Sequence, residues 1–208
     1  VVEVAVCLYN LELGCPLVCF SSLVRAESND AENINRIPVA ALVDAPPPEG
    51  VWTKVAGYIA AAHYVAAHRA EFDRGFVEPA VRSAGYTIAT TWVCTKTDFD
   101  WPGVGRGDHL THLALAYGLG VASAHRAMAD VDAMARILSR VHEMGHPLVD
   151  LFKRAARPKK RFVAMVPYEQ RQLAKDAGFL WNDKARQWER SMPPEDTTNL
   201  GFRVRESV

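Results

Sequence analysis

The feature that most constrains this chain is an abrupt change of period at residues 64–76. An apolar run, Tyr64 to Ala67, gives way to the charged stretch His68-Arg-Ala-Glu-Phe-Asp-Arg-Gly-Phe76, whose apolar residues return at helical intervals. The pattern predicts a strand that ends and feeds directly into a helix. Phe72, Phe76 and Val77 are expected to face the core, and Asp73 falls within about the first turn, where its side chain can project over the sheet edge. A carboxylate there either complements the helix dipole or serves a site. Residue types alone leave both readings open.

A second stretch narrows the choice. His125-Arg-Ala-Met-Ala-Asp130 opens a segment in which Met128, Val131, Ala135, Leu138 and Val141 mark one helical face. Positions five apart on a helix differ by about 140°, so His125 and Asp130 do not share a face if both are mid-helix. His125 is therefore expected to precede the helix, in a loop after Gly118 and Gly120 that folds back and brings imidazole and carboxylate toward one point.

Together these stretches resemble the second and third motifs of the DEDDh 3′-to-5′ exonucleases, the family of the proofreading (epsilon) subunit of bacterial DNA polymerase III. The family's second motif, a strand ending in Ala-His-Asn, then Ala, a variable residue and Phe-Asp, stands here as Ala67-His68-Arg69-Ala70-Glu71-Phe72-Asp73. Its third motif, His followed five residues later by Asp, stands as His125 and Asp130. Between them, Trp92 to Trp101 is similar to the central segment of a phage-type and bacterial subgroup. The resemblance covers about residues 1 to 145.

It implies an α/β architecture, an RNase H-like mixed sheet with flanking helices, and hydrolysis of phosphodiester bonds at single-stranded 3′ ends, in DNA or in RNA. It also implies two Mg²⁺ or Mn²⁺ ions, because the reaction needs a nucleophilic hydroxide at neutral pH and a stabilised leaving oxygen. The resemblance implies Asp73 and Asp130 as metal ligands, residue types that suit hard cations, which take carboxylate oxygens. His125 would take a proton from the attacking water, a role suited to an imidazole with pKa near about 6.5. His68 is expected to be structural. A replicative polymerase is the implied protein partner.

The sequence departs from the family in two places. The first-motif Asp-x-Glu pair, carried on a strand before one like Val1-Val-Glu-Val-Ala-Val6, is absent. Glu3 and Glu12 are poor substitutes, one belonging to the next strand and the other to a turn. The chain opens on Val in mid-strand pattern, so it is read as an incompletely represented sequence whose first strand is missing, and impaired turnover is expected of these 208 residues. The second departure is Arg69, where the family usually has Asn; a cation there is positioned to contact a phosphate.

Charge is unevenly distributed. Residues 1–150 hold 11 Lys and Arg against 17 Asp and Glu, whereas residues 151–208 hold 13 against 7. A basic arm on an acidic domain favours approach to a polyanion, because Lys and Arg contacts to phosphate supply most sequence-independent affinity. The bland alternative for Arg157-Pro-Lys-Lys-Arg161 is a solvated linker. No apolar run approaches the roughly 20 residues needed to span a bilayer, and no signal sequence opens the chain, so a cytoplasmic protein without a membrane partner is expected. Cys7, Cys15, Cys19 and Cys94 form no Cys-x-x-Cys pair, which favours buried free thiols over zinc.

In chain order, Val1–Leu8 and Pro16–Val24 read as an antiparallel hairpin, Ser28–Asn35 as loop, Ile37–Val43 as a short helix and Val51–Ala62 as a longer one. Thr90–Cys94 is a short strand. Asp108 is placed to cap a helix carrying Leu110, Leu113 and Leu115 that stops at Gly118. Residues 1–145 form the expected exonuclease domain, 146–160 a basic linker and 161–208 a small α+β C-terminal module. In that module Lys160–Met165 reads as a strand, Pro167–Gly178 as an amphipathic helix, and Phe179–Glu189 as a hairpin bearing Trp181 and Trp188. Lys175, Gly178, Trp181 and Trp188 resemble a small module found beside nucleases and replication proteins. If exposed, its rings form a base-stacking platform flanked by Lys184, Arg186 and Arg190; if buried, they are the core of a very small domain. The competing class for the whole chain is a nucleic-acid-binding or scaffold protein that keeps the fold without catalysis.

Overall fold

Alternating apolar residues at the start of the chain build the first pair of strands. A computed structural model describes residues 1–106, 109–121 and 126–207. Strand β1 (Glu3–Asn10) pairs antiparallel with β2 (Cys15–Leu23), with Val4 opposite Ser22 and Cys7 opposite Cys19. Asn10 closes the turn by accepting the backbone N–H groups of Glu12 and Leu13 at 2.9 and 2.8 Å. Gly14 has φ +65°, and a Cβ there would collide with the His142 ring, so only glycine fits the approach of this turn to the helix that carries His142.

One-turn helices α1 (Glu32–Asn35) and α2 (Ala40–Val43) lead to α3 (Pro48–Ala60), whose first residue is a proline that needs no N–H partner. Its buried residues, Val51, Trp52, Val55, Ala56 and Ile59, follow helical spacing and pack on Val4 and Val24. Strand β3 (Tyr64–Ala67) then feeds helix α4 (Ala70–Ser83), and β4 (Thr91–Cys94) returns parallel to β3. A parallel pair requires such a crossover, here supplied by α4. Val4 and Val6 from the hairpin and Val65 from β3 share one core with α3 and α4.

Helix α4 corrects one expectation. Phe72 and Phe76 do not face the core: they are 59% and 50% exposed and pack edge to face on each other at 5.0 Å. The stripe that enters the core consists of Val77, Ala80, Val81 and Ala84. Small residues let the helix lie close to α3, and the larger rings are left on the outer face.

Beyond β4, Phe99 and Trp101 are buried, and the Trp101 indole N–H donates to the Thr95 carbonyl at 2.8 Å. Helix α5 (Leu110–Ala116) buries Leu113 and Ala114, while Leu115 stays exposed; Gly118, at φ +74°, follows it. Its expected cap, Asp108, lies outside the described residues. Helix α6 (Ala127–Glu143) buries Ala135, Leu138 and Val141 of the expected face, together with Ala133 and Ile137, while Met128 and Val131 are half-buried.

The segment 146–160 is not simply a basic linker. It carries helix α7 (Leu148–Ala155), which buries Leu148, Leu151, Phe152 and Ala155. These recur at three- and four-residue intervals, and Lys153 and Arg154 occupy the opposite, exposed face. Phe152 packs edge-on against Phe99 at 4.9 Å and lies tilted against Tyr64 at 5.6 Å. The first compact unit accordingly runs from Val1 to Ala155 and the second from Ala156 to Val208.

The second unit is an antiparallel sheet of β5 (Lys160–Ala164), β6 (Leu180–Asn182), β7 (Gln187–Met192) and β8 (Val204–Glu206), in the order β6-β7-β5-β8. A 3₁₀ turn at Tyr168–Gln170 runs into helix α8 (Arg171–Asp176), which Gly178 terminates at φ +76°. Phe162, Ala164, Ala174, Phe179 and Met192 form its core. The basic run is partly neutralised within this unit: Arg157 bridges Glu195 and Asp196 at 3.0 and 2.9 Å, and Lys160 meets Glu206 at 3.0 Å. Among the described residues no helix is long and apolar enough to cross a membrane. All four cysteines are free, but none is fully buried, and Cys19 is exposed.

Candidate active site

The end of β3 and the first turns of α4 and α6 bring two carboxylates together. Ala67 closes β3 by accepting the Thr95 N–H at 3.0 Å, and His68 Nδ1 lies 3.1 Å from the buried Thr95 hydroxyl. His68 therefore ties the end of β3 to the end of β4. Asp98 fixes the same turn by accepting the Cys94 N–H at 2.9 Å and the Thr97 hydroxyl at 3.1 Å.

Arg69 turns the chain from strand into helix with φ +104° and ψ +52°, a backbone conformation that side chains bearing a Cβ rarely adopt. Its guanidinium lies 5.6 Å from the centre of the exposed Phe72 ring. One residue further, Asp73 sits half-buried in the first turn of α4. Burial raises its carboxyl above the ordinary range and the charge of Asp130 adds to the rise, while its own N–H and Arg69 oppose it. Asp130 occupies the first turn of α6, with its N–H on the Arg126 carbonyl at 3.0 Å.

The expected third member, His125, lies outside the described residues. Its neighbour Arg126 reaches back to β1. Glu3 accepts Arg126 Nη2 at 2.8 Å and the Ala127 N–H at 2.9 Å and so caps α6 from 123 and 124 positions away in sequence. Sequence reasoning set Glu3 aside as a strand residue. Burial alone would raise its carboxyl, but the bonds from Arg126 and Ala127 outweigh that and hold it below the ordinary range.

Asp73 and Asp130 fit the chemistry of a hard divalent cation, which is commonly held by one or two carboxylates with water and substrate phosphate completing the shell. Asp130 adds to the rise of the Asp73 carboxyl that burial produces, a charge effect that a cation would offset. Among the described residues, no three His, Cys, Asp or Glu side chains cluster to hold a metal. The remaining residues singled out from the sequence lie in the second unit. There, Lys175, Trp181 and Trp188 come together, and Lys184 and Arg186 occupy the turn between β6 and β7.

A family model described as Exonuclease (RNase T) matches residues 14–138, and one described as a domain of unknown function (DUF8626) matches residues 160–207. Residues of the chain are 31% identical to DNA polymerase III PolC-type of Staphylococcus aureus over 139 positions, 66% of this chain. The chain spans about a tenth of the length of those curated relatives, 10%. Two solved structures share the fold. Exonuclease X in complex with 5′ overhanging duplex DNA aligns with TM-score 0.55 and 24% identity over 74% of this chain and 90% of that one. A 3′-exonuclease recognising the 3′ end of the histone mRNA stem-loop aligns with TM-score 0.57 and 17% identity over 70% and 73%. With the RNase H-like α/β fold in place and the exonuclease model matched over more than half its residues, the chain belongs to the DEDDh-type exonuclease family.

Proposed function

We propose that this chain is a 3′-to-5′ exonuclease domain that hydrolyses phosphodiester bonds at single-stranded 3′ ends, of DNA first and of RNA as the second candidate. The observation that supports it is the pairing of Asp73 with Asp130, close enough that one carboxylate raises the other. Bound Mg²⁺ or Mn²⁺, two ions in a complete site, would supply activation of the attacking water and charge stabilisation for the leaving oxygen. Asp73 and Asp130 would hold the cations. His125, one residue before the arginine that fixes the start of α6, accepts the proton of the attacking water. Arg69 faces a substrate phosphate, and its backbone conformation keeps it beside Asp73.

Two ions require more oxygen ligands than Asp73 and Asp130 provide, and Glu3 is already occupied by Arg126 and Ala127. Slow turnover of the 208 residues follows. The same shortage favours the second reading, a nucleic-acid-binding or scaffold protein that retains the fold. The similarity to a stretch of a PolC-type polymerase supports a replicative polymerase as partner.

The test is Mn²⁺-dependent shortening of a 5′-labelled single-stranded oligonucleotide, run beside a thermal-shift titration with Mn²⁺. Stepwise loss from the 3′ end that vanishes in Asp130→Ala establishes the nuclease. An Mn²⁺ shift that Asp73→Asn abolishes, with little turnover, identifies a metal site short of ligands. Neither shortening nor shift, with oligonucleotide binding intact, leaves the scaffold.

A further inference from the structure

The second unit carries an aromatic and basic surface that hydrolysis does not use. Trp181 on β6 pairs directly with Trp188 on β7, so both side chains emerge on one face of the sheet. The rings lie 5.4 Å apart at 58°, and Trp181 is 45% exposed although it is the largest side-chain type. Along β7, residues 188, 190 and 192 share that face. Met192 is buried under α8, Arg190 reaches the Ala177 carbonyl at the end of that helix, and Trp188 is the next residue out. Helix α8 thus covers the inner part of the face and leaves the tryptophan pair at its open end.

Cations border the pair. Lys175 Nζ lies 5.6 Å from the Trp188 ring centre, and Lys184 and Arg186 are exposed in the β6–β7 turn. That turn is rigid: Asn182 Oδ1 accepts the N–H groups of Lys184 and Ala185, each at 3.1 Å, and Arg186 takes φ +50°. Of the nearby acidic groups, Asp176 accepts a hydrogen bond from Gln172, and Glu189 lies on the other face with Asn182 and Gln187; Asp183 alone shares the turn. A ring open to stacking beside three cations matches an unpaired base and its flanking phosphates better than it matches a protein.

We infer that Trp181, backed by Trp188 and bordered by Lys175, Lys184 and Arg186, is a binding site for single-stranded nucleic acid. It stacks one base on the exposed indole and engages the backbone through the cations, independently of cleavage. Bases of any identity present a π face, so the site is tolerant of sequence.

The experiment is fluorescence anisotropy of a labelled oligothymidylate with the whole chain, in EDTA so that no hydrolysis intervenes and the outcome is separate from that of the nuclease reading. Trp181→Ala should weaken binding about 5- to 100-fold, and Trp181→Phe should restore most of it. Lys184→Ala, in an exposed turn, should lower the dependence of log affinity on log salt by about 0.7. Circular dichroism confirms that each variant is folded. Unchanged affinity in folded Trp181→Ala overturns the inference, as does equal loss of duplex and single-strand binding. Loss of self-association or of a protein complex in Trp181→Ala, without loss of oligonucleotide affinity, makes the surface a protein interface and overturns it too.

Discussion

The Glu3 carboxylate accepts the Ala127 N–H at 2.9 Å, so the first residue of β1 caps the helix that carries Asp130. A helix N-terminus leaves its first N–H groups without intrahelical partners, and a carboxylate there satisfies one and offsets the positive end of the dipole. Arg126 adds a bidentate grip on the same side chain. Replacing Glu3 with Gln should cost about 1–2 kcal/mol at neutral pH, by loss of the charged cap and ion pair. The folded-state pKa of Glu3 is depressed, so its contribution is present above the ordinary glutamate range and is lost as pH falls through the folded value. Urea melts of wild type and Glu3→Gln should therefore differ at neutral pH and converge in acid. A gap that stays constant with pH would assign the loss to shape and not to charge.

Asp73 has the opposite sign. Burial and Asp130 raise its carboxyl, so its ionised form weakens the fold as pH rises through the folded value. Asp73→Asn should therefore raise stability by a few tenths to about 1 kcal/mol at neutral pH, a modest gain because the group is partly solvated. Exonuclease activity and any Mn²⁺-dependent rise in melting temperature should disappear together in that variant. A stabilised variant that still responds to Mn²⁺ would remove Asp73 from the metal site.

Arg69 holds φ +104°, where asparagine and glycine are better tolerated. Arg69→Gly should relieve about 1 kcal/mol of backbone strain, offset in part by the added freedom of the unfolded chain. It should also weaken single-strand affinity, since it removes a cation next to Asp73. Equilibrium unfolding and oligonucleotide binding on the same variant separate the two effects. If affinity is unchanged, Arg69 serves the turn alone.

Much of this fold is legible because its signals are local. The hairpin, the strand at 64–67, and helix α6 each follow from alternation or helical spacing within a short window, and the structure repeats them within a few residues. What spacing does not reveal is which of two apolar stripes faces inward. On α4 the large rings of Phe72 and Phe76 outweigh Val77 and Val81 in hydrophobicity, yet close approach to α3 selects the smaller side chains. Helix α7 was concealed by composition, since Lys153, Arg154 and the basic run beginning at Arg157 dominate a segment whose four core residues are fewer than its cations and polar neighbours combined. The cap from Glu3 to α6 and the pairing of β8 with β5 depend on contacts distant in sequence, and nothing near Glu3 or Val204 announces them. For the proposed site, the motifs single out Asp73 and Asp130 in the sequence, whereas Arg69's conformation emerges only when β3 must turn directly into α4.

The assignment of α7 to the first unit can be tested with two adjacent residues. Phe152 is 4% exposed and contacts the rings of Phe99 and Tyr64, while Lys153 lies on the solvent face. Phe99 in turn follows the turn that Asp98 and Thr95 build at the end of β4, and Tyr64 opens β3, so Phe152 supports the paired strands β3 and β4, of which β3 leads into the helix of Asp73. Phe152→Ala should cost about 3–5 kcal/mol, because it leaves a cavity between packed rings. Lys153→Ala should change stability by less than about 0.5 kcal/mol. If 146–160 were only a solvated linker, both variants would be neutral in a denaturant melt. A selective loss with Phe152→Ala, accompanied by reduced activity through misplacement of β3, would make α7 a structural part of the nuclease unit.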